Sequence, residues 1–421
     1  MNYLSTTISK LKSHKNIFLT GGAGVGKTTI TREVIEEFES DAKKVAKLAS
    51  TGMAATLIGG QTLHSFFDLG IASSVEELEK NGKFEAKKKV KKLIHGIDLV
   101  VIDEISMVSD ALFEMIRLRL QQSEFMGSLL VVGDFLQLPP VVRGASEVMF
   151  AFESPAWNSF DFEIIELTHI YRTDDKKFIE LLHNVRYGFI DENIHNHLNE
   201  YIKPLPNDLS EFTFLFGKNI SASHHNREQL KHIDEDPFIK EAQIVKHLRS
   251  VNENEIDRYM SDARIERELE LKVGAPVLFT RNSWNYFNGE RGIIVNFDSS
   301  YVYVQKADGK VIKLESVAQS KSMWKEKTVD GKKDMVEENL FTIYQYPIKL
   351  AFAITIHKSQ GMSIEDLIIE TNEIFAPSQF YVALSRSSNP QRLNLIAPRC
   401  QWYELAFVNS KAAQFVREGS C

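Results

Sequence analysis

Apolar residues fall into short unbroken runs that stop at small or acidic positions: Ile17–Thr20, residues 98–102 (DLVVI) and residues 128–132 (SLLVV). Runs of this length read as buried strands. After the first, Ile30, Val34, Ile35 and Phe38 recur at helical spacing; after the second, a helical pattern runs from about Ser109 to Gln121. Residues 45–58 read as a strand, a small-residue turn and a helix start, followed directly by 61–69. Strands alternating with helices predict a parallel sheet, with ligands gathering at its C-terminal strand ends. Thr20, Ser50, Asp103 and Asp134 lie just past such ends and are expected to converge.

Pro139-Pro140 breaks that rhythm. A second set of elements follows: a helix over 174–188, with Asp174 as N-cap and Gly188 as stop, and a strand over 212–216. Residues 227–270 are charged and irregular, with helical pieces. From about Val273 to Tyr346, β-branched runs split by Asn-Gly and Asp-Gly predict a small antiparallel module. Strand and helix patterns then resume with DLIIET, with PSQFYVALSR opening on Pro377, and with RLNLIA. The β module therefore reads as an insertion in a second α/β lobe.

The first strand runs into Gly21-Gly22-Ala23-Gly24-Val25-Gly26-Lys27-Thr28, which fits G-x-x-x-x-G-K-[ST]. Strand, glycine loop and helix are the setting this motif needs to cradle phosphates. Glycines let backbone N–H groups turn toward phosphate oxygens, and the helix N-terminus adds partial positive charge. Lys27 reaches the β- and γ-phosphates, and the Thr28 hydroxyl suits Mg²⁺. Asp103-Glu104, at the end of a buried strand, suit a metal ligand and a general base. Gln137 can both donate and accept, as a sensor of the γ-phosphate must. Arg172 and Arg386 are candidate stabilisers of transition-state charge; by position alone each reads more often as a surface arginine.

The chain has 421 residues, enough for two or more lobes, with 43% hydrophobic and 25% charged residues. Its two cysteines, Cys400 and Cys421, supply neither a disulfide framework nor a four-ligand zinc site. No signal core or membrane-length run is present, so a cytoplasmic protein is expected, nucleoid-associated in a bacterium. The net charge of −7 weighs mildly against nucleic acid, although a local groove can be positive on an acidic protein. One segment is strongly basic: Lys83, Lys87, Lys88, Lys89, Lys91 and Lys92. On charge alone it reads as a solvated helix face.

Taken together, GGAGVGKT, ASTGMAA, QTLHSFF, VIDEISM, GDFLQLPPV, IYRTDDKKFIELLHNVRYG, LKVGAPVLFTRN, FNGERGIIV, AITIHKSQGMSI and QFYVALSR occur in an order that resembles the Pif-type (petite integration frequency) DNA helicases. These are superfamily-one motors of the 5′→3′ branch, related to RecD and Dda. The likeness runs from about residue 16 to residue 398. It implies an α/β fold with two RecA-like P-loop lobes, a small inserted pin lobe and an inserted SH3-like β module. The implied boundaries are 1–66 and 96–150 for the first lobe, 67–95 for the pin, 151–272 and 347–421 for the second lobe, and 273–346 for the β module.

Residue by residue, the resemblance implies that Lys27, Glu104, Gln137, Arg172 and Arg386 carry ATP hydrolysis. Gly22, Ala23, Gly24, Val25, Gly26, Lys27, Thr28, Thr29 and Gly361 would bind the nucleotide, with Thr28 and Asp103 on Mg²⁺. Thr51, His64, Ser65, Phe66, Asn282, Thr355, His357 and Lys358 would lie near single-stranded DNA. By spacing alone Phe66 and Phe67 read as core, and His64 and His357 as hydrogen-bonded structural histidines. Family members carry an adenine-reading glutamine upstream of the phosphate loop; here Leu4 falls near that place. The implied function is a monomeric ATP-dependent 5′→3′ helicase acting on single strands and on forked or tailed duplex, in replication, repair, recombination or telomere-type maintenance. A translocase with little unwinding, suggested by the short pin segment, and a nucleotide-switched binding module are the competing readings.

Overall fold

A computed structural model of the protein describes residues 3–50, 54–55, 58–70, 72–141, 149–206, 209, 212–249, 251–263, 265–281, 283–286, 290–329 and 332–419. The chain divides into two compact units, Met1–Ala222 with Ile354–Cys421, and Ser223–Ala353.

The first unit is built on a parallel sheet of β1 (Ile17–Gly21), β2 (Val45–Ala49), β3 (Gln61–Thr62), β4 (Leu99–Asp103), β5 (Ser128–Gly133) and β6 (Glu163–Leu167), in the order β3-β2-β4-β5-β1-β6. The central strands β1, β4 and β5 are buried along their whole length, which is why their sequences are unbroken apolar runs. Successive side chains alternate between the two faces. Ile17, Leu19, Leu99, Val101, Leu130 and Val132 face one core with Val34, Ile35 and Phe38 of the helix Lys27–Ser40. Phe18, Val100, Ile102, Leu129 and Val131 face the other, with Phe113 and Ile116 of the helix Asp110–Gln122. Ser109 caps that second helix by accepting from the Leu112 amide.

The first sheet does not stop at residue 150, because β6 pairs in register with β1, Ile17 opposite Glu163. The final helix, Ser410–Gly419, also returns to this sheet rather than staying with the elements that precede it. Ala412, Ala413 and Val416 join its core, and Phe415 stacks on Phe152 with centroids 4.2 Å apart. Apolar area decides this packing, and no local pattern announces it.

A second sheet in the order β8-β7-β9-β10 combines β7 (Thr213–Phe216), β8 (Ala353–Thr355), β9 (Leu367–Ile369) and β10 (Leu393–Leu395). β9 runs parallel to both β7 and β10. The helix expected over 174–188 is Lys176–Arg186, and its N-cap is Asp175 rather than Asp174: the Asp175 carboxylate takes the Phe178 amide at 3.0 Å. Gly188 ends this segment with φ of 75°, as its position predicted.

The unit Ser223–Ala353 is an antiparallel β module that begins well before the change of texture at 273. It contains a five-stranded sheet of residues 276–279, 291–297, 302–306, 311–314 and 348–350 around Val277, Phe279, Ile294, Val304 and Leu314. Asp308-Gly309 makes one of its hairpin turns, with Gly309 at φ of 80°. A three-stranded sheet of residues 243–246, 317–329 and 332–345 accompanies it.

Candidate functional site

The phosphate loop joins β1 to the helix Lys27–Ser40, and Gly24 and Gly26 hold φ of 77° and 87°. A Cβ at Gly24 would come within 2.8 Å of the Arg172 Cβ, so glycine there lets the 170–172 segment close on the loop. The Tyr171 amide donates to the Gly24 carbonyl at 2.8 Å. Gly26 is the N-cap and lends the helix no side-chain acceptor, so the first-turn amides are open to an anion. The Lys27 ammonium folds onto the Gly21 and Gly22 carbonyls, 2.7 Å from each. Burial lowers its pKa, against the pull of Asp134, Glu104 and Asp103. That pull records the expected convergence of the strand ends.

A cavity of about 270 Å³ opens over this loop. Ala23, Gly24, Val25, Gly26, Lys27, Thr28 and Thr29 form one wall; Glu104, Gln137, Tyr171, Arg172, Gly361, Ser363 and Arg386 complete it. Gly22 lines a smaller cavity behind the loop and Asp103 is buried beside Glu104; every other residue predicted for hydrolysis or nucleotide binding lines the one cleft.

Burial raises the Asp103 carboxyl to about 7, with the Glu104 charge adding to it. Burial raises Glu104 as well, opposed by Lys27 and Arg386. Glu104 sits at φ of 53°, a left-handed conformation that costs a non-glycine residue energy and is kept where function requires it. A buried Asp103 beside a half-buried Glu104 is costly unless a cation satisfies the pair. Mg²⁺ fits this donor set. It takes one or two protein carboxylates and fills its remaining positions with phosphate oxygens and water. Among the described residues no group of three or more His, Cys, Asp or Glu forms a protein-only cage.

Arg386 is 2% exposed. Its guanidinium bonds the carbonyls of Val382 at 2.9 Å, Ser359 at 3.2 Å and Met362 at 3.4 Å, and the Ser385 hydroxyl at 2.8 Å. Burial and the neighbouring Arg172 charge push it down to about 9. Arg172 donates to the Ser385 carbonyl, and burial lowers its pKa too. Among the described residues neither arginine has a carboxylate in salt-bridge contact. A buried and a half-buried cation on one wall make a receptor for a polyanion.

Sequence reasoning missed two supports of this cleft. Arg186 forms a bidentate pair with Asp134, at 3.0 and 2.9 Å, both side chains being buried. Tyr381 is buried on the helix Gln379–Leu384, and its hydroxyl accepts from the Ala23 amide at 2.8 Å. The signal for Arg186 was in the sequence: it falls on the same helical face as Phe178, Leu182 and Val185, where a charged residue needs a buried partner. Arg119 repeats the pattern on the helix Asp110–Gln122. It is 1% exposed and donates to the carbonyls of Phe67, Lys83 and Phe84.

The residues expected near DNA are placed less uniformly. Thr51 and Asn282 lie outside the described residues. Ser65 is exposed and His64 half-buried on the short helix Leu63–Phe66. Phe66 is 6% exposed and packs edge-on against Phe67, 4.9 Å between centroids, so its ring belongs to the core and offers no face to a base. Thr355 is buried, and His357 and Lys358 are half-buried on the turn Ile356–Ser359. Burial lowers the pKa of both His64 and His357, leaving neutral imidazoles at neutral pH. The same turn carries the Ser359 carbonyl that Arg386 holds.

Comparison with known proteins agrees with this geometry. The profile of PIF1-like helicases matches residues 4–196. The ATP-dependent DNA helicase Pif1 of Campylobacter jejuni is 39% identical over 420 aligned residues, covering 96% of this chain and 93% of that protein. Among solved structures, the Pif1 helicase of Candida albicans superposes with a TM-score of 0.82 at 27% identity, covering 99% of both chains. Bacteroides Pif1 bound to single-stranded DNA gives 0.74 at 26% identity, over 99% of this chain and 96% of that one.

Proposed function

The chain belongs to the Pif1-like helicase family and is an ATP-dependent DNA helicase, and we propose that it moves 5′→3′ along single-stranded DNA on Mg-ATP hydrolysis and opens duplex as it goes. The observation that supports this reading best is the single cleft in which Lys27, Glu104, Gln137, Arg172 and Arg386 meet. A pure binding switch has no need of a strained carboxylate and two arginines, Arg386 buried and Arg172 half-buried, around one phosphate position.

In this reading Lys27 and the first-turn amides bind the β- and γ-phosphates, and Arg172 and Arg386 take up charge that grows on the transferring group. Glu104 accepts the proton of the attacking water, and Gln137 orients that water. Thr28 and Asp103 would hold Mg²⁺, which supplies charge neutralisation at the phosphate oxygens. Arg386 contacts the nucleotide on one side and the Ser359 carbonyl on the other. Gain or loss of the γ-phosphate therefore biases the turn Ile356–Ser359, which carries His357 and Lys358. We assign His64, Ser65, His357 and Lys358 to the DNA path as hydrogen-bond and phosphate contacts, and leave out Phe66. Thr51, Asn282 and the buried Thr355 stand as DNA contacts on the resemblance alone.

In the proposed lobe plan, residues 1–66 and 96–150 with β6 form the first lobe, 67–95 the pin, and the sheet of β7 to β10 the second lobe. Contacts of this kind read backbone and stacking rather than sequence. The test is ATP turnover with and without an oligodeoxynucleotide, followed by unwinding of 5′-tailed against 3′-tailed duplex. Stimulation with unwinding of the 5′-tailed substrate is expected. Unstimulated turnover defeats the motor reading, stimulation without unwinding leaves a translocase, and unwinding from the 3′ tail reverses the polarity.

A further inference from the structure

We propose that the lysine face of the helix Lys88–His95 is a docking surface for the phosphate backbone of duplex DNA; this rests on the helicase reading above and extends it to where the duplex is held. The helix has two sides of opposite character. Ile94 is fully buried and Val90 packs on the first unit's core, while Lys88, Lys89 and Lys92 are exposed. The surrounding lysines are neutralised locally: Lys83 and Lys87 pair with Asp68, and Lys91 pairs with Glu85. Among the described residues Lys88 and Lys92 meet no carboxylate. They stand one turn apart on the same side of the helix, an arrangement that is mutually repulsive and therefore suits an external polyanion.

The face is also held rigidly. Arg119 draws the Phe67, Lys83 and Phe84 carbonyls onto the helix Asp110–Gln122. Gln122 of that helix accepts from the Ala86 amide at 3.0 Å and donates to the Phe84 carbonyl at 3.0 Å. The segment leading into Lys88 is thereby fixed at three backbone groups, of Lys83, Phe84 and Ala86, so the lysines are presented at constant spacing. The occupant is duplex rather than single strand because the helix carries no Phe, Tyr or Trp. Single-strand grooves combine cations with aromatic stacking platforms, whereas a duplex keeps its bases inside and offers only phosphates to a lysine face.

The experiment compares the full chain with the Lys88→Gln/Lys92→Gln variant, without ATP, on a blunt duplex and on a single strand of equal length over a salt series. Each phosphate contact contributes about 0.9 to the slope of log affinity against log salt, so the duplex slope should become shallower by about 1.8. Duplex affinity at low salt should fall about tenfold, while single-strand affinity and single-strand-stimulated ATP turnover stay as they were. Lys88→Arg/Lys92→Arg should keep the parent slope. An unchanged duplex slope overturns the proposal. So does an equal loss on the single strand, which would place these lysines on the translocation path. Failure of the helicase reading is seen separately, as parent turnover that DNA does not stimulate.

Discussion

The Tyr381 hydroxyl lies 2.8 Å from the Ala23 amide nitrogen and accepts its hydrogen bond, across 358 positions of chain. Ala23 belongs to the loop that cradles phosphate, and Tyr381 lies on the short helix that ends just before Arg386. A Cβ on Gly22 would stand 3.2 Å from that hydroxyl, so glycine keeps the approach open. One helix therefore sets both the shape of the phosphate loop and the place of the arginine opposite it.

Tyr381→Phe removes the acceptor and leaves the Ala23 N–H buried and unpaired. A buried unsatisfied donor costs about 1–3 kcal/mol. If the loop shifts to relieve it, the KM for ATP rises about tenfold or more while kcat changes much less. Steady-state kinetics on the purified variant separates the two, and an unchanged KM would show that the bond does not shape the loop.

Glu104→Gln keeps the size of the side chain and removes the base. Turnover should fall by about 10²–10⁴-fold, the usual contribution of a general base. ATP binding, followed with a fluorescent analogue, should persist. Lys27→Ala differs in kind: both binding and stimulated turnover should be lost. Near-normal turnover in either variant contradicts the assigned roles.

The Asp134–Arg186 pair predicts a pH dependence of stability. Burial alone would raise the Asp134 carboxyl, but Arg186 and Lys27 hold it below its ordinary value. A depressed carboxylate stabilises the fold above its unfolded pKa of about 3.9 and loses that contribution as pH falls through the folded value. Denaturant unfolding should therefore show an acid limb that flattens in Asp134→Asn. At neutral pH the same variant leaves Arg186 buried without its partner and should cost about 3–5 kcal/mol.

Arg119→Met fills the space and releases the carbonyls of Phe67, Lys83 and Phe84. Amide exchange over residues 83–86 should accelerate, and duplex unwinding should drop while single-strand-stimulated turnover is kept. Equal loss of both activities would mean that Arg119 supports the whole first unit.

Local chemistry determined much of this protein in advance. The buried strands, the phosphate loop and Asp103-Glu104 could be read because each depends on neighbours within a few residues: an apolar run, a glycine, a strand end; Gln137 and both arginines were marked only by the order of the motifs. The order of the motifs carried the family. Tertiary structure alone decided which distant groups meet. The Tyr381–Ala23 bond, the Asp134–Arg186 pair and the return of Phe415 to the first sheet all join segments that share no local pattern. Such contacts are set by the burial of apolar area and the need of every buried donor for an acceptor, and both conditions are met only once the chain has closed on itself.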